Sequence, residues 1–157
     1  MELKKSPFKK LALLIPLLLV IFSFKPISSG LYSIHEGPWV APKWADTLTN
    51  SNLSNPKFIK SGKGIYHSHC IVCHGDKGRG DGVSGFGLSV TPGDLNDLVT
   101  VNESDGAIFW KITNGKRPMM EYKFSLNDEE RWQLVAYIRD LQNESKEKIE
   151  KRKYKMK

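Results

Sequence analysis

Cysteine is almost absent from this chain of 157 residues, which has two, Cys70 and Cys73. That scarcity excludes the common structural zinc sites, because tetrahedral zinc takes four protein ligands and no second cysteine pair exists. The histidines that could complete such a site, His35, His67 and His69, repeat no ligand spacing. A lipidated N-terminus is excluded as well, since no cysteine lies near the end of the first apolar segment. Long apolar runs are equally scarce. The run from Leu11 to Phe24 would span about 21 Å as a helix, against a hydrocarbon core of about 30 Å, which disfavours a full membrane span. Charge of one sign is missing from the body of the chain: the net charge is +7, yet residues 25–143 hold thirteen basic and thirteen acidic groups. The excess sits at the two ends, whereas nucleic-acid binding needs a basic face on the folded part, so that class is excluded. Methionine is sparse too. Of four, Met1 and Met156 are terminal, leaving Met119 and Met120 inside the chain.

What is present begins with an export signature. Lys4, Lys5, Lys9 and Lys10 precede the apolar run, as in a secretory signal. Lys25-Pro26 blocks extension of a helix, and Ile27-Ser28-Ser29 offers a cleavage site without the Ala-x-Ala form. Residues 1–29 are therefore expected to be a signal peptide or an uncleaved N-terminal anchor. The protein is placed outside the cytoplasm, in the periplasm, either free or tethered to the cytoplasmic membrane.

Both cysteines fall in Cys70-Ile71-Val72-Cys73-His74. Two thiols three positions apart can add to the two vinyl groups of a haem, and the adjacent imidazole can bind its iron. A dithiol redox pair would need a βαβ context that the flanking sequence lacks, and a disulfide between cysteines this close is disfavoured. One covalent haem c is thus expected on Cys70, Cys73 and His74.

Taken in order, residues 30–56 form an irregular arm rich in Pro, Ser and Asn, expected to pack on the domain through Trp39 and Trp44 or to dock a partner. Phe58, Ile59, Ile65 and Tyr66 recur at helical spacing after Pro56. Gly62 and Gly64 cost that helix about 1 kcal/mol each, which predicts close packing against a later helix, with Trp132 and Tyr137 as partners. Gly75 to Gly82 must end the helix. It lacks the strand and the Lys-Ser/Thr ending of a phosphate loop, and is expected to be a flexible turn passing close to the haem edge. In Thr91-Pro92-Gly93 the carbonyl of Pro92 is the expected acceptor for the far nitrogen of the axial imidazole. Ser104-Asp105 caps a helix over 106–113 that Asn114-Gly115 closes, with Trp110 against the haem edge or in the core. Asn127 to Glu130 has the spacing of a capping box and opens the last helix, whose apolar positions include Trp132, Val135, Ala136, Ile138 and Leu141. Residues 144–157 form a basic tail, read as a solvated helix end or as a docking module for an acidic partner or membrane.

A single imidazole leaves one axial position on the iron. A thioether there gives a closed, electron-transferring haem, and Met119 and Met120 are the internal candidates. Gly62, Tyr66, Cys70, Cys73, His74 and the loop before the last helix together resemble a class I monohaem c-type cytochrome of the bacterial, respiratory-chain type. In such proteins the ligand loop reads Met-Pro-x-aromatic ahead of an Arg-Trp helix. Met119-Met120-Glu121-Tyr122 matches, with Met119 as ligand and Met120 in the proline position. The resemblance implies an all-α, cytochrome c-like helical domain over 57–143 around one covalent haem, with His74 and Met119 as iron ligands. It also implies a one-electron carrier rather than an enzyme, working in a respiratory or other periplasmic chain, free or as a subunit of a larger oxidoreductase. Its partners would be redox proteins, with membrane association through the N-terminal segment or a partner complex. The alternative is a haem enzyme or gas sensor with a displaceable axial Met.

Overall fold

Helix boundaries in this protein fall where side chains replace missing backbone partners. The computed structural model describes residues 38–155; the expected signal or anchor over 1–29 and the start of the arm lie outside the described residues. Helix α1, Pro56–His69, starts at Asn55, whose side chain accepts from the Lys57 N–H at 3.0 Å. Pro56 occupies the first position, where its lost N–H costs nothing. After a break at Cys70, α2 covers Ile71–His74. Helix α3, Leu98–Val101, is capped by Asp97, and α4, Asp105–Asn114, by Ser104, which accepts from the Ala107 N–H at 3.1 Å. Helix α5, Asp128–Lys155, opens on a reciprocal capping box: the Asn127 N–H donates to Glu130 Oε2 at 2.8 Å, and the Glu130 N–H donates to Asn127 Oδ1 at 3.0 Å. Asn thus does the work usually given to Ser or Thr. Glu130→Ala is expected to cost about 1 kcal/mol of stability, read as a lowered urea midpoint at unchanged slope. Three short 3-10 turns complete the order, and the described residues contain no strand. Over the described residues the fold is all-α.

The core lies where α1, α4 and α5 meet. Phe58 and Tyr66 of α1, Ile108, Phe109 and Ile112 of α4, and Trp132, Leu134, Val135, Tyr137, Ile138 and Leu141 of α5 are buried in one cluster. A Cβ on Gly62 would lie 1.9 Å from the Gln133 carbonyl oxygen and 3.1 Å from Tyr137 Cβ, so α1 and α5 touch backbone to backbone. Gly62 and Tyr137 meet as the sequence predicts. Gly64 does not take part: it is exposed, with nothing within 4 Å of its notional Cβ. Two residues turn an α-helix through about 200°, so Gly62 and Gly64 cannot share a contact face. Trp132 also departs from expectation and stacks on Phe109, with ring centroids 4.4 Å apart at 15°.

The arm packs through Trp39, one of the two tryptophans expected, and through Ala45, which the sequence does not single out. Ala45, in the turn Lys43–Thr47, is fully buried, and its carbonyl sits where a Cβ on Gly106 would come to 1.9 Å. Trp44 is 59% exposed, and Trp39 is half-buried under the Lys111 ammonium, 5.3 Å from the ring centroid. A small residue lets two backbones meet, which a tryptophan in the same place would prevent. At its other end α5 runs past residue 143 without a break. Gln142 Nε2 donates to the Leu95 carbonyl at 2.7 Å and Ser145 Oγ to Asn96 Oδ1 at 2.9 Å.

Candidate haem site

Residues 70–74 form one helical turn, with the Cys73 and His74 N–H groups both donating to the Cys70 carbonyl at 3.1 and 2.9 Å. Side chains three apart share a helix face, so the two thiols point the same way and His74 follows at the helix end. Both thiols are free and half-buried. Burial, and then the neighbouring Cys73, push the Cys70 thiol up to about 12. Tyr66 straddles the turn: its ring meets Tyr137 edge-on at 5.2 Å, and its hydroxyl donates to the Gly75 carbonyl at 2.7 Å.

The glycine-rich stretch after His74 is a cover bonded to the motif rather than the flexible turn expected. Ser84, Gly82 and Gly80 donate their N–H groups to the carbonyls of Val72, Cys73 and His74 at 2.9, 3.2 and 2.9 Å. These are carbonyls that a helix end leaves without partners. The approach is so close that a Cβ on Gly82 would lie 2.5 Å from the Val72 carbonyl oxygen, and Gly80 has a φ of +75° that side chains rarely adopt.

Burial lowers the His74 pKa, which favours the neutral imidazole that a metal requires. Its Nδ1 is buried and makes no hydrogen bond of ordinary geometry. The backbone carbonyl that acts on the ring is that of Gly93, opposing the effect of burial in part. The expectation for Pro92 is off by one residue, because the Pro92 carbonyl faces Gly80, where a Cβ would approach it to 2.1 Å. Outside a helix, successive carbonyls point in different directions, so a shift of one residue changes the acceptor. The Gly93 segment is held by the Leu95 N–H, which donates to the Gly78 carbonyl at 2.7 Å, and by Gln142 on α5.

The loop between α4 and α5 separates the two internal methionines. Met119 is half-buried and packed against the core, its N–H donating to the Lys116 carbonyl at 2.8 Å. Met120 is 66% exposed. Three residues beyond Met119, the buried Tyr122 donates its hydroxyl to the His69 carbonyl at 3.0 Å, and its ring stands edge-on to His69 at 6.0 Å. Burial raises its pKa to about 12, with Cys70 and Cys73 adding to the rise, so the loop reaches the motif itself. Sequence reasoning used Tyr122 only as a spacing mark. A lone hydroxyl on a core aromatic, which must find a partner, was the available signal.

The donor set fits a covalently attached haem: two thiols on one face, a neutral imidazole with a buried Nδ1, and a half-buried thioether. Large apolar side chains left exposed at Val83, Phe86, Val90, Leu98 and Val99 offer surface for a hydrophobic group to cover. Among the described residues, no three His, Cys, Asp or Glu are grouped to hold a bare metal ion.

The model of one protein family, described as cytochrome c oxidase, cbb3-type, subunit III, matches residues 57–138. The chain belongs to this family. It is a class I monohaem c-type cytochrome, with haem c bound covalently. Among solved structures, a chain of the Kuenenia stuttgartiensis reducing HAO-like protein complex Kustc0457/Kustc0458 is 29% identical, with a TM-score of 0.54 over 61% of this cytochrome and 48% of its own length. The KustC0563 c-type cytochrome is 32% identical over 51% of this chain and 95% of its own, with a TM-score of 0.45. Cytochrome CL of the marine methylotroph Methylophaga aminisulfidivorans MPT is 21% identical over 69% of this chain and 71% of its own, with a TM-score of 0.49. The cytochrome spans about half the length of the Kuenenia complex chain that it matches. Curated proteins give no match. No described helix is long and apolar enough to cross a membrane.

Proposed function

We propose that the protein is a one-electron carrier whose haem is fixed by Cys70 and Cys73 and ligated by His74 and Met119. The observation that carries the choice of Met119 is burial: its side chain packs on the core, whereas Met120 is 66% exposed. A thioether is a weak ligand that water must not reach, and only the first of the pair is shielded. Bound haem c supplies a one-electron iron couple. The chain's own residues supply the rest. Cys70 and Cys73 would prevent loss of the group, Gly93 would offer a carbonyl to the His74 ring, and the Met119 loop would shield the iron from small molecules.

The family's description names a subunit of an oxidase, and one similar chain belongs to a two-component complex. Both support a cytochrome that passes electrons within or to a larger oxidoreductase, through redox partner proteins. The basic, apolar opening of the sequence supports a periplasmic setting, with residues 1–29 as signal or anchor and 57–143 as the electron-transfer domain.

The test is the near-infrared spectrum of the ferric protein, where a sulfur-to-iron band reports thioether ligation. Met119→Leu is expected to abolish that band and Met120→Leu to keep it. The reverse pattern would transfer the ligand role to Met120, and a band surviving both substitutions would remove methionine ligation altogether.

A further inference from the structure

We propose that Tyr122 is a positioning residue, a clasp that keeps Met119 on the iron by tying the methionine loop to the attachment motif. The inference rests on Met119 being the second ligand. Its observation is the hydrogen bond from the Tyr122 hydroxyl to the His69 carbonyl, 3.0 Å long, between residues 53 apart in sequence. One end lies three residues after Met119 and the other one residue before Cys70, so the bond joins the two segments that would carry opposite faces of the haem. The Tyr122 ring is buried, stands edge-on to His69 at 6.0 Å, and lies near enough to Cys70 and Cys73 for both to act on its hydroxyl.

The Met119 N–H donates to the Lys116 carbonyl at 2.8 Å, a bond local to the turn that holds nothing to the motif. Beyond Tyr122 the chain is again anchored, because Leu126 is buried in the core cluster and its carbonyl accepts from the Arg131 guanidinium at 3.2 Å. Tyr122 therefore joins a fixed turn to a short loop, and its hydroxyl sets how readily that loop lifts. Opening of the loop is a local equilibrium, and its constant rises when a hydrogen bond made only in the closed state is lost.

The probe is imidazole, titrated into the ferric holoprotein and followed in the visible spectrum, since it binds only when the methionine has left. Tyr122→Phe keeps the ring and loses the hydroxyl, and is expected to tighten apparent imidazole binding about fivefold, the effect of one net hydrogen bond on the opening constant. Asn55→Ala, which removes the α1 cap far from the loop, costs a comparable amount of global stability and is expected to leave imidazole affinity at the parental value. Equal tightening in both variants, or none in Tyr122→Phe, overturns the clasp. Failure of the ligand assignment shows differently: Met119→Leu would then bind imidazole no more tightly than the parent, and the clasp would fall with it. A Met119→Leu protein that binds far more tightly, beside an unchanged Tyr122→Phe, sinks the clasp alone.

Discussion

A Cys70→Ala, Cys73→Ala protein is expected to yield its haem to acid extraction and to lose most of its helical circular dichroism once the haem is removed. The reason is size. The family match covers residues 57–138, and a domain of that length buries too small a fraction of its surface to be secure on apolar packing alone. Val83, Phe86, Leu98 and Val99 are large apolar side chains left exposed, surface that a bound prosthetic group would be able to cover. A group that packs only in the folded state stabilises it, and a covalent link keeps that group at high effective concentration beside its pocket. Retention of native helix content by the haem-free double variant would show that the protein core suffices. Acid-stable haem in it would show attachment through other residues.

The second large effect is expected at Gly62. A methyl group there would start 1.9 Å from the Gln133 carbonyl oxygen, and the obstruction is backbone, which cannot rotate aside. Gly62→Ala must push α1 from α5 and is expected to cost about 3 kcal/mol; Gly62→Val should prevent folding. Gly64→Ala is the matched control. It lies in the same helix, exposed and with open space around it, and is expected to stabilise the protein by up to about 1 kcal/mol through helix propensity. Denaturant unfolding of the three holoproteins reads both signs, and equal effects at the two glycines would refute the close crossing.

These contrasts mark where sequence reasoning holds. The caps at Ser104 and Asn127 were legible because each is a local rule: a short polar side chain reaches an N–H three residues on. The attachment motif was legible for the same reason, its chemistry lying within five consecutive residues. Contacts between distant segments were harder. Two glycines in one helix predicted a close crossing, but only the helical turn decides which of them faces the partner. Pro92 and Gly93 differ by one carbonyl direction, and Ala45 helps hold the arm because two backbones meet where composition showed only two tryptophans. The glycine-rich loop illustrates the limit best. Its composition indicates freedom, while its N–H groups are committed to the carbonyls of Val72, Cys73 and His74.

The meeting of Gly62 with Gln133 also sets an order of events in biogenesis. Roughly seventy residues of chain separate the two, so the core cannot close until a long loop has been brought together, and that closure is entropically costly and slow. Cys70 and Cys73 lie near the start of that loop and emerge well before the helix that completes the fold. In the finished structure both are half-buried beneath neighbouring segments. In the growing chain they stand open, and that interval is when an attachment enzyme has unhindered access to both thiols.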